Sequence, residues 1–99
     1  MLATLILLAA LSGPAGSCGA NRPAAPDAAA ARRIAETTIR HAGAATRPYR
    51  LLVEPDRDDA RLWVAFQVPR GARSMRGGGG LEFRIDRCTG AVSRMHRAR

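Results

Sequence analysis

Two short stretches contain residue types that could do chemistry. One is RGGGGLEFRIDRCTG, residues 76–90, with four glycines in a row; the other is Ala15-Gly16-Ser17-Cys18. A glycine run cradles phosphate when a Lys-Ser or Lys-Thr pair and then a helix follow it. Here Gly80 leads into Leu81-Glu82-Phe83-Arg84-Ile85-Asp86, which alternates as a strand does. Neither a Walker loop nor a dinucleotide fingerprint has that context. A domain linker is also excluded, because about 19 residues beyond Gly80 cannot form a domain. The run therefore reads as a loop that opens a hairpin. Asp86 caps the following turn through its side chain, Thr89 sits within it, and Gly90 supplies the positive φ that starts the next strand.

Other catalytic and metal-binding patterns are missing from the sequence. There is no HExxH, no GxSxG and no pair of carboxylates on one face. His41 falls in the last turn of a predicted helix and reads as a cap, and His96 falls in a solvated tail. Asp56, Asp58 and Asp59 lack both the spacing and the closing Glu of a calcium loop, so they read as a polar turn. Two cysteines 70 positions apart, with no CxxC, make no metal pair. The expectation is a non-enzymatic protein with no metal and no cofactor.

Cys18 is better explained by its neighbours. Leu2 to Leu11 is almost unbroken apolar sequence, and small turn-prone residues follow it, the layout of a secretory signal over residues 1–20. The Gly13-Pro14-Ala15-Gly16 break comes too early for a spanning helix. No basic residue precedes Leu2, which suggests a true start further upstream. Ala15-Gly16-Ser17-Cys18 resembles the lipobox of bacterial lipoproteins, although Leu is usual where Ala15 stands. Cleavage before Cys18 with lipid attachment at that residue is expected. The alternative is cleavage after Ala20, giving a soluble periplasmic protein. Either event leaves Cys88 unpaired as a turn residue, and a Cys18–Cys88 disulfide is disfavoured because it needs an uncleaved signal.

The elements that would position these residues are few. Residues 21–26 form a Pro/Ala linker and 27–99 a single domain. Asp27 is a helix N-cap, and Ala31, Ile34, Ala35, Thr38, Ile39 and Ala42 recur at spacings of three and four. Arg32–Glu36 and Glu36–Arg40 stand at i,i+4, and Gly43 is the C-cap. Strands follow at Tyr49–Glu54, closed by Pro55, at Arg61–Val68, Leu81–Asp86 and about Ala91–Met95, separated by polar or glycine-rich loops. Leu62, Val64, Phe66, Leu81, Phe83 and Ile85 are expected on the face under the helix, with Trp63 and Gln67 on the other. The fold class is α+β, one N-terminal helix on an antiparallel sheet of three to four strands, cystatin-like or nuclear-transport-factor-2-like. Such a core is thin at this size, and a homodimer or a tight partner would extend it.

The charge balance narrows the partner. All 16 basic residues are Arg, set against eight acids, for a net charge of +8. That suits an acidic surface. Only four aromatic residues are available to stack bases, and an exported chain seldom meets nucleic acid, so an acidic protein is the favoured partner.

Several motifs together extend this reading. They are Ala31-x-x-Ile34-Ala35, Arg47-Pro48-Tyr49, Trp63-Val64, the glycine run, Phe83-x-Ile85-Asp86, Thr89-Gly90-x-Val92 and His96. Over residues 28–97 the pattern resembles bacterial immunity proteins of the nuclear-transport-factor-2-like fold, which are paired with polymorphic toxins. The Arg-rich stretch 70–76 departs from that family, which has a shorter loop there. The resemblance implies an envelope protein that neutralises a toxin, periplasmic or lipid-anchored. Its recognition surface would be the exposed sheet face with Trp63, Arg70, Arg73 and Arg76. The helix and the Ile85-Asp86-x-x-Thr89-Gly90-x-Val92 hairpin also resemble PepSY domains, which implies a module that inhibits or chaperones a secreted peptidase.

Overall fold

The computed structural model describes residues 18–19, 21–71 and 79–98. Helix α1 runs over Ala28–His41, and four strands follow: β1 over Tyr49–Pro55, β2 over Leu62–Pro69, β3 over Leu81–Asp86 and β4 over Val92–Arg97. They form one antiparallel meander in the order β1-β2-β3-β4, with the helix packed across β1, β2 and β3. The expected α+β architecture is therefore present.

The ends of α1 are built as the sequence predicts. Asp27 Oδ1 accepts from the Ala30 N–H at 2.9 Å. At the other end Gly43 has φ +70, its N–H donates to Arg40 O, and the Ala44 N–H donates to Ile39 O. This paired closure satisfies carbonyls that the helix itself cannot. The predicted i,i+4 pairs give way to other partners. Arg32 Nη2 donates to the Leu51 carbonyl of β1 at 2.7 Å, and Arg40 Nη2 donates to Thr37 Oγ1.

The faces of the sheet differ from expectation. Under the helix lie Leu51, Trp63, Ala65, Leu81, Phe83 and Ile85, packed on Ala30, Ala31, Ala35 and Ile39. Val64, Phe66 and Val68 form a second cluster with Leu52 on the opposite face. Residues 62–68 are buried without a break, so alternation cannot reveal which half of β2 meets the helix. Volume decides it. The helix contacts the sheet through alanines and so approaches closely, and Ala65 opposite Phe83 leaves room for that ring. Phe83, Ile85, Ala65 and Ile39 are all fully buried, each large side chain contributing about 1.5–3 kcal/mol by leaving water.

Gln67 is buried rather than solvated. Its Nε2 donates to Ala44 O at 2.8 Å and its Oε1 accepts from the Leu81 N–H, tying the chain after α1 to β2 and β3. The end of the glycine run also has a structural reason. Gly79 has φ +84, and a Cβ on Gly80 would collide with the Gln67 carbonyl.

Residues 21–26 are part of the fold, not a linker. The Ala24 and Ala25 N–H groups donate to the Cys88 and Arg87 carbonyls at 3.0 and 2.9 Å, and Ala25 is fully buried. Cys18 is joined to Cys88 by a disulfide. A sulfur in a disulfide has no valence left for a thioether, so this staple and lipid attachment at Cys18 are mutually exclusive. The disfavoured pairing arises because residues 21–26 run alongside the β3–β4 turn and bring Cys18 to Cys88.

Candidate protein-binding surface

The residues proposed for recognition divide into three groups. Trp63 is removed from the surface, at 6 % exposure. Its Nε1 donates to Ala25 O at 2.8 Å, and the Arg87 guanidinium lies 4.2 Å from the ring centroid. Arg87 Nη1 in turn donates to Pro26 O, so the indole anchors the strap of residues 21–26. Arg70 is exposed at the end of β2, where its N–H donates to Pro48 O. Arg73 and Arg76 lie outside the described residues.

The turn residues have the expected places. Asp86 Oδ1 accepts from the Cys88 and Thr89 N–H groups at 2.8 and 3.0 Å, and Thr89 Oγ1 accepts from the Ala91 N–H. Gly90 has φ +77 and donates to Asp86 O. These backbone donors, Thr89 first, with nearby Arg61, hold the Asp86 carboxyl below its usual pKa. All of this shapes the turn, and none of it offers a reactive group to a ligand.

A second charged row runs across the sheet face away from α1. Arg84 donates to Glu82 Oε2 at 2.8 Å and to Asp56 Oδ2 at 3.0 Å, and His96 Nε2 lies 3.7 Å from Glu82 Oε1. Glu82 first, and then Asp56, raise the Arg84 pKa and keep it charged. The Asp58 N–H and Arg84 lower the Asp56 carboxyl. Each carboxylate here already has Arg84 as a partner, and Asp56 has a backbone donor as well. Among the described residues no cluster of three His, Cys, Asp or Glu side chains could hold a metal.

β4 is different. Ser93, Arg94, Met95, His96 and Arg97 are all exposed, and Met95 is an exposed large hydrophobic at 43 %. Among the described residues β4 pairs only with β3, and a register shift between Glu82 and Arg84 inserts one extra residue on the β4 side. Arg94 takes up that bulge with φ +55, a region L-residues rarely enter. The pairings Val92↔Ile85 and Arg97↔Leu81 place Val92 and Arg97 on the helix side. A shallow groove of about 360 Å³ lies there, lined by Arg33, Ile34, Thr37, Thr38, Gly90 and Val92. Arg94 forms no ion pair among the described residues, and Arg97 Nη1 bonds only the uncharged Gly79 carbonyl.

Sequence reasoning placed His96 and Arg97 in a tail beyond the last strand. The alternation Val92-Ser93-Arg94-Met95-His96-Arg97 was the available signal, hidden by the bulge and by the strand's polar composition. No protein-family profile, no curated protein and no solved structure matches this chain.

Proposed function

We propose that this chain is an exported, non-enzymatic binding protein of the bacterial envelope that neutralises a cognate toxin. The observation that carries the reading is the exposed basic edge at β4, where Arg94, Met95 and Arg97 lie together and neither arginine forms an ion pair among the described residues. A cationic strand edge is suited to an acidic protein surface, and its association would weaken with salt. The Cys18–Cys88 disulfide supports an oxidising compartment. Co-expression with each neighbouring gene that encodes a toxin tests the reading. Restored growth with one of them is expected, and failure to restore growth with any would overturn it.

The Asp86-Thr89-Gly90 turn favours a second reading, because it is the segment shared with PepSY domains and is fully braced by its own hydrogen bonds. A module of that kind would slow a secreted peptidase. Proteolysis of casein by envelope extracts should then fall when the purified chain is added, and an unchanged rate excludes it.

A further inference from the structure

We infer that β4 takes up an acidic, extended segment of a partner protein as a fifth strand of the sheet; this rests on the binding role proposed above and names its mode. Four observations lead there. An edge strand presents backbone N–H and C=O groups along its outer side, and an added strand satisfies them. β4 is the one strand of the meander over which α1 does not pack extensively. Its side chains are exposed and basic at Arg94, His96 and Arg97, with Met95 and the groove beside Ile34 and Val92 supplying apolar contact. Of the two carboxylates that face this edge, Glu82 and Asp56, both bonded to Arg84, one is offset by that arginine, and Arg94 and Arg97 leave the edge with a net positive charge.

The same residues argue against a second copy of this chain as the occupant. Antiparallel self-pairing centred between Met95 and His96 would set Arg94 opposite Arg97, and charged edges of one sign block such pairing. The bulge at Arg94 adds twist that discourages a long flat ladder. A partner strand that carries both carboxylates and apolar residues meets both features: the long Arg94 and Arg97 side chains reach carboxylates, and Val92 with the groove beside it takes apolar side chains.

The test needs no toxin, so its outcome is separate from that of the growth assay. The full oxidised chain, labelled with ¹⁵N, is titrated at low salt with a synthetic peptide of alternating Glu and Val. A control peptide carries the same number of Glu residues alternating with Pro, which keeps the charge and removes every second ladder donor. The Glu/Val peptide should shift and slow the exchange of amides in Val92–Arg97, leave Tyr49–Pro55 unchanged, and bind at least about tenfold more tightly than the control. Arg94→Glu combined with Arg97→Glu should weaken binding by about tenfold or more. Equal binding of the two peptides would overturn the inference, and so would protection at β1 or no protection at β4.

Discussion

β1 and β4 both end the same sheet, yet they meet their surroundings in opposite ways. β1 lies under α1, turns Leu51 into the core, gives the Leu51 carbonyl to Arg32, and stops at Pro55. β4 extends past the helix, carries a bulge at Arg94, and exposes five consecutive side chains from Ser93 to Arg97. Proline and a covering element protect an edge by removing donors and access, whereas charge and a bulge protect it only against wrong partners. The difference teaches where recognition can occur. An edge guarded only by charge and a bulge remains open to a segment of the complementary sign.

The largest effect should separate the covered region from the open one. Phe83→Ala removes a fully buried ring under the helix and should cost about 3–5 kcal/mol in urea unfolding, while Met95→Ala should stay within about 0.5 kcal/mol. Similar losses for the two variants would show that β4 is packed as β3 is. Next in size is the staple. Replacing Cys18 and Cys88 together by Ser should cost about 2–4 kcal/mol, since the bridge closes a 70-residue separation in the unfolded chain. Intact mass of the purified protein checks the chemistry: a two-proton deficit marks the disulfide, and added diacylglycerol contradicts it.

Acid should act next, and it should act on the turns. The Asp56 and Asp86 carboxyls titrate below their usual range in the folded chain, chiefly because backbone N–H groups of Asp58 and Thr89 bond the ionised form. A lowered folded pKa gives stability that is complete above the unfolded value of about 3.9 and is lost as pH falls through the folded value. The melting temperature should therefore hold from neutral pH to about 5 and drop below about 4. Asp86→Asn should flatten that drop, and an unaltered profile would remove Asp86 from the account. The smallest effect is local. Arg94→Gly relieves a positive φ and should leave stability unchanged or raise it by up to about 1 kcal/mol, while weakening association at β4. A clear loss of stability would mean that the Arg94 side chain, rather than the bulge, holds the edge.

Much of the architecture was legible because its signals are local. Asp27, Gly43 and the Ala31–Ala35–Ile39 spacing mark α1, and Asp86, Thr89 and Gly90 mark the hairpin turn. The faces of β2 were not legible, since both of its faces are buried and the Ala65–Phe83 fit depends on a strand 18 residues away. Trp63 misled for the same reason, because its partners Ala25 and Arg87 come from distant parts of the chain. The staple depends on residues 21–26 running beside the β3–β4 turn, which no spacing rule encodes. The candidate site escaped detection because β4 has little apolar content and a bulge breaks its period.

The most direct measurement is growth rescue in cells that express the cognate toxin, comparing the unaltered chain with one edge reversed at a time. The account predicts that the unaltered chain and Arg50→Glu on β1 both restore growth, whereas Arg94→Glu with Arg97→Glu on β4 does not, with all three chains equally abundant in the envelope. Rescue undiminished by the β4 reversal, or lost through the β1 reversal alone, would contradict it.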